Sequence, residues 1–169
     1  MRVRLNDIHS ITQTPGTVHE IGGYFTMDNN RLSFHKTAES NLTKGRHSIP
    51  LPNGGLVWHA HPFHAGWWPS YEDITRMRDN IHILFTFHGA WIYKPARSRQ
   101  QVPKPAWKRL HDYLLSLPSG WNANEVLHTI QTITSDMKTD YGLDIVFVPY
   151  FTKGFPSNQN TRLLNQYLH

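Results

Sequence analysis

The chain has 169 residues, 38% of them hydrophobic and 12% aromatic, which is too much packing material for a disordered segment. That length is enough to bury one sizeable core, so a single domain over 1–169 is expected and a large multi-domain enzyme is excluded. Cysteine is absent, so disulfides and thiolate metal sites are ruled out; the charge of +5 points only weakly to an acidic partner, because twelve histidines inflate the basicity.

The N-terminal segment, residues 1–14, has no apolar core of the kind a secretory signal needs. No later run approaches the roughly 20 apolar residues that would span a bilayer, so a cytoplasmic or nuclear, reducing compartment is expected. After a turn at "TPG", residues 14–16, the β-rich stretch "VHEIGGYFTM" runs into the turn signal "DNN", which predicts a hairpin with "RLSFHK". Past "LPNGG" comes "LVWHAHP". Strand alternation there puts Leu56, Trp58 and Ala60 on one face and Val57, His59 and His61 on the other, with Pro62 as the stop.

"SYEDITRMRDN" opens as a helix with Ser70 as N-cap and Asp73 placed for a capping box. "IHILFTFH" and "AWIYK" read as a strand pair around Gly89. The segment 94–109 holds Lys94, Arg97, Arg99, Lys104, Lys108 and Arg109 without an acid, and reads as a solvated loop entering a helix. Two amphipathic helices follow. Trp107, Leu110, Leu114 and Leu117 share a face of the first, and Val126, Leu127, Ile130, Ile133 and Met137 share a face of the second, which ends before Gly142. "LDIVFVPY" is a last strand. Residues 104–169 thus form a helical and strand extension of the core. The order of elements predicts a mixed α/β (α+β) domain with a single sheet flanked by helices, not a strict βαβ array.

The chemistry concentrates in "HAHPFHAGWWPSYED", residues 59–73. Histidines at i and i+2 of one strand project the same way, so His59 and His61 are able to meet one ion without backbone distortion. A third ligand has to come from another element, and Asp73 on the first turn of the next helix is close enough in sequence to fold back. Two histidines and one aspartate leave a fourth position for water, as catalytic zinc sites do, and such a water needs a base. His64 lies beyond Pro62 in a glycine-containing turn, where a solvent- or substrate-facing place suits it better than a ligand's. A cupin would carry a glutamate soon after the second histidine, where this chain has Ala65 and Gly66. An amidohydrolase barrel needs a far longer chain.

"HAHP" followed by "PSYEDI" resembles the JAMM-type (JAB/MPN+) metalloprotease family, whose motif reads Glu, then His-[Ser/Thr]-His-Pro, six residues, and Ser-x-x-Asp. The likeness covers residues 15–95 in motif and order. It implies a three-layer JAB/MPN-like (cytidine-deaminase-like) arrangement and one Zn2+ per chain, held by His59, His61 and Asp73 with a catalytic water. Glu20 of "HEIGGYF" then stands as general base and Ser70 as hydrogen-bond donor to the forming oxyanion. Two departures are plain. Ala60 replaces the usual hydroxyl residue, and seven residues rather than six separate Pro62 from Ser70, so strict counting puts Glu72 in the acidic position. The internal register of Ser70 to Asp73 favours Asp73, with Glu72 in reserve.

The resemblance implies hydrolysis of a peptide or isopeptide bond at the C-terminal tail of ubiquitin or a ubiquitin-like protein. Such tails bind extended along a sheet edge, near "RLSFHK" or "GRHSIPL", with Trp67, Trp68 and His64 as candidate substrate contacts and loop anchoring as the other role for the tryptophans. The alternative is a non-catalytic MPN or RadC-like scaffold, bound to nucleic acid or a phage tail through the basic 94–109 segment.

Overall fold

The expected first hairpin forms: β1 (Ile21–Asp28) pairs antiparallel with β2 (Arg31–Glu39). The coordinates are those of a computed structural model, which describes residues 20–28, 31–39, 56–62, 66–75, 81–94 and 102–150, together with Arg162, Asn165 and Gln166. Residues 1–14, "GRHSIPL", His64 and the stretch 95–101 lie outside the described residues.

β3 (Leu56–Ala60) pairs antiparallel with the other side of β1 and parallel with β4 (Ile81–Phe85). Two parallel strands in sequence need a crossover, and this one carries α1 (Tyr71–Thr75), which brings Asp73 back over the sheet. β5 (Gly89–Lys94) and β6 (Asp144–Pro149) complete a six-stranded mixed sheet among the described residues, in the order β2-β1-β3-β4-β5-β6. β3 therefore sits inside the sheet with neighbours on both sides. Among the described strands, β2 and β6 form the two edges.

α2 (Lys104–Leu115) and α3 (Ala123–Tyr141) lie between β5 and β6 in the chain. Asn122 caps α3 by accepting the Asn124 N–H, and Gly142 ends it in the left-handed conformation at φ 67°, where a side chain would be strained. Of the predicted apolar faces, Leu110 and Leu114 on α2 and Val126, Ile130, Ile133 and Met137 on α3 are buried, while Trp107, Leu117 and Leu127 are partly buried against the same core. They join Leu84, Trp91, Tyr93, Ile145 and Phe147 from one face of the sheet in one cluster, so residues 104–150 supply much of that core. Trp58, Ala60, Ile83, Phe85, Ile92 and Val148 form a second cluster on the opposite face.

Ala60, between the two histidines, is thus buried on the face opposite His59. Part of the basic run is neutralised within the chain. Lys108 pairs with Asp112 one turn along α2, and Arg109 reaches Asp136 on α3 at 2.6 Å. No helix among the described residues is long and apolar enough to cross a membrane.

The register of β1 against β2 shifts between Gly22 and Gly23, a bulge beside Glu20. A Cβ on Gly23 would stand 1.7 Å from the His35 carbonyl oxygen, which no rotamer change relieves because the obstacle is backbone. At exposed Gly120 a Cβ would meet nothing within 4 Å. Gly23→Ala is therefore expected to cost about 3 kcal/mol or more in urea unfolding, against a change within about 0.5 kcal/mol for Gly120→Ala.

Candidate metal centre

His59 and His61 project from the end of β3 toward α1. Alternation does this, since a residue two along a strand returns to the same face. His59 is 0% exposed, and both of its ring nitrogens face protein groups. Its Nε2 lies 3.3 Å from Nε2 of His61, 3.6 Å from Asp73 Oδ2 and 3.8 Å from Glu20 Oε1. His61 Nε2 is 3.8 Å from the same Asp73 oxygen.

Those separations can be set against the metal. Three ligands at about 2.0–2.2 Å from a tetrahedral zinc stand about 3.3–3.6 Å from one another. The triangle His59 Nε2, His61 Nε2 and Asp73 Oδ2, with sides of 3.3, 3.6 and 3.8 Å, needs only a few tenths of an ångström to close on such an ion. Glu20, His59 and His61 also lie close enough together to hold a metal ion, their ligand atoms all within 4.8 Å of one another. Two carboxylates thus compete for the third place. Asp73 Oδ2 lies 3.6 and 3.8 Å from the two imidazole Nε2 atoms, and Glu20 Oε1 lies 3.8 Å from that of His59.

The orientation of the rings agrees with this. His61 Nδ1 is 2.5 Å from the Gly66 carbonyl oxygen, which can only accept, so Nδ1 carries the hydrogen and Nε2 keeps its lone pair toward the cluster. His59 Nδ1 is likewise engaged, 2.6 Å from Nε2 of His82 on β4. Metal-ligating histidines are held in this way, through the ring nitrogen that does not bind the ion. Two imidazole nitrogens and carboxylate oxygens without sulfur form a donor set that divalent transition metals accept.

α1 places Asp73 by its own start. The Ser70 N–H donates to Asp73 Oδ2 at 2.8 Å and the Asp73 N–H donates to Ser70 Oγ at 3.0 Å, a complete capping box. The cap and the site share Asp73 Oδ2 without conflict, because a carboxylate oxygen has two lone pairs. Glu72, the reserve ligand by strict counting, is exposed, so of these two neighbours it is Asp73 that faces the imidazoles.

The segment before α1 is fixed by three indoles. Trp91 Nε1 donates to the Trp67 carbonyl at 2.7 Å, Trp107 Nε1 to the Pro69 carbonyl at 2.9 Å, and Trp68 Nε1 to His111 Nδ1 at 3.0 Å. Trp67 stacks on Trp121 with ring centroids 4.7 Å apart and touches Phe147. The candidate substrate contacts Trp67 and Trp68 are therefore engaged as anchors, and the anchoring role is the one their contacts support. His82 was not among the candidates from sequence. The signal for it was a lone histidine in the apolar strand "IHILF".

Charge follows geometry. Burial pushes Asp73 up, but the His59 charge and hydrogen bond, then His61 and the Ser70 N–H, outweigh it and hold the carboxyl far below its usual range. His59 is its counterpart: burial lowers it, yet Asp73 and then Glu20 raise it overall. His61 is pushed down to about 4 by burial and by the His59 charge. Burial, opposed by His59 and reinforced by Asp73, raises Glu20 above an ordinary carboxyl, which makes its carboxylate a better proton acceptor. His82 falls well below a free histidine, chiefly from burial.

No family model, no curated protein and no solved structure matches the chain.

These shifts predict how the metal-free protein responds to acid. His61 and His82 refuse protons that the unfolded chain accepts below about pH 6.5, so their contribution is intact above that pH and is lost as pH falls toward about 4. The raised His59 gives a contribution already complete below about pH 6.5, so it adds no slope in this window. Glu20, also raised, opposes the loss by gaining its proton early, as one group against two. Urea unfolding after chelation should show stability declining from pH 6.5 to 4.5. His61→Gln should make that decline shallower by up to about 1.4 kcal/mol per pH unit.

Proposed function

We propose that the chain is a zinc-dependent hydrolase of the JAMM type, cleaving a peptide or isopeptide bond at an extended ubiquitin-like C-terminal tail. The observation that carries this reading is the convergence of His59 Nε2, His61 Nε2 and Asp73 Oδ2 on one point, with both Nδ1 atoms committed elsewhere and Glu20 alongside. The mixed sheet, with His59 on an interior strand, His61 just past its end and the acid on the crossover helix, supports a three-layer JAB/MPN-like arrangement.

His59, His61 and Asp73 would hold the ion. When bound, zinc supplies a Lewis acid that acidifies a water and polarises a carbonyl. Glu20 takes the proton from the attacking water and delivers it to the leaving amine, a role its raised affinity for protons suits. The Ser70 hydroxyl accepts the Asp73 N–H and so keeps its own hydrogen for the carbonyl oxygen as charge develops there. For the substrate, β2 stands at an edge of the sheet among the described strands, the kind of place where an extended tail can add as a further strand. The scaffold alternative is weaker on the same footing, since Lys108 and Arg109 already pair with acids of the chain itself.

The first test is zinc content by elemental mass spectrometry. Near one zinc per chain is expected in the wild type, in Glu20→Gln and in Glu72→Gln, and none in His59→Ala or Asp73→Asn. Zinc kept by Asp73→Asn and lost by Glu20→Gln would exchange the two acids' roles. The second test is cleavage of a ubiquitin or ubiquitin-like fusion, which the zinc-loaded wild type should perform and Glu20→Gln should not. Inertness of the loaded wild type toward every such substrate would overturn the hydrolase reading. Ser70→Ala should slow turnover by about 10²–10³ and cost about 1 kcal/mol of stability through the lost cap.

A further inference from the structure

The side chain of His82 has no part in the ligand set or in the proton transfers, yet it is 7% exposed and meets a ligand ring directly. Its strand, β4, runs parallel to β3 with Val57 opposite His82 and Leu84 opposite His59, so the two histidines are diagonal neighbours on one face. Their rings meet edge-on, with centroids 4.7 Å apart and planes at 78°. Two imidazole nitrogens 2.6 Å apart share one hydrogen, so one of them donates and the other accepts.

The other side of His59 decides which. Its Nε2 faces His61 and Asp73, and a ligand nitrogen must offer a lone pair there, so the ring hydrogen sits on Nδ1 and points at His82. His82 is held in turn by Tyr93 on β5, its direct cross-strand partner, stacked at 4.6 Å and 21°. Tyr93 is fully buried, so the stack has no room to turn.

We propose that His82 is a positioning residue of the metal centre, its Nε2 accepting the His59 Nδ1 hydrogen and thereby setting the tautomer and ring plane that His59 presents to the ion. The arrangement runs across three strands: ligand on β3, acceptor on β4, stacking ring on β5. It differs from the support given to His61, which uses a backbone carbonyl. This inference rests on the metal reading of His59, His61 and Asp73 but on nothing about the substrate.

Two measurements test it. Zinc affinity by competition with a chromophoric chelator should fall about 10–100-fold in His82→Leu. Most of that loss should be recovered in His82→Gln, whose amide oxygen restores an acceptor. The visible absorption of the cobalt-substituted protein should shift in the leucine variant and return toward wild type in the glutamine variant. Unchanged affinity and spectrum in a folded His82→Leu would overturn the proposal while leaving the metal site standing. The second measurement needs no substitution: long-range 1H–15N spectra of the zinc-loaded wild type should show His59 protonated at Nδ1. The opposite tautomer would overturn the proposal, and a wild type that binds no zinc would overturn the metal reading with it.

Discussion

An imidazole buried at the centre of a sheet must have both of its nitrogens satisfied, since an unpaired polar atom there costs about 1–3 kcal/mol. His59 is such a residue, and much of the site follows from supplying its partners. On one side it requires an acceptor, found in His82 of the neighbouring parallel strand; on the other it requires a negative group or a cation, found around Asp73. Parallel pairing of β3 and β4 meets both needs at once. It sets His82 diagonally across from His59 and forces a crossover, and the crossover carries the helix that brings Asp73.

Asp73 shows how little separates a structural from a chemical role. Its carboxylate closes the capping box of α1 and faces two imidazoles with the same oxygen. A helix of five residues has little stability of its own, and the cap and the ion pair reinforce each other in holding it. The segment before the helix is pinned by the indoles of Trp68, Trp91 and Trp107, which tie it to α2 and to the sheet. Its Gly66 carbonyl can then orient His61 from a fixed position. The aromatic richness of the chain is thus spent partly on the rigidity of the site and not only on the core.

Much of this was legible in local sequence because it depends on local physics. Period-2 alternation put His59 and His61 on one face with Ala60 away from them, and the Ser-x-x-Asp spacing specified a cap that forms. The pairing of β1 with β2 and the apolar faces of α2 and α3 likewise follow from strand and helical period. The choice of Asp73 over Glu72 was legible only in part: the register argument favoured Asp73, and the position of α1 over the sheet leaves Glu72 exposed.

What only the tertiary structure decided are the contacts between elements distant in sequence. His82 is 23 residues from His59, and no spacing rule links a histidine in one strand to a neighbour chosen by sheet order. The indoles that anchor the loop act over 24 to 43 residues, so nothing in "GWWP" itself separates an anchor from a substrate contact. Glu20 comes beside His59 because β1 pairs with β3 across the sheet. Side-chain direction along one element is set by its own periodicity, so the sequence by itself determined that His59 and His61 share a face and that Asp73 is a capped acid. Which elements become neighbours is set by the burial of the whole chain, and that alone decided what surrounds them.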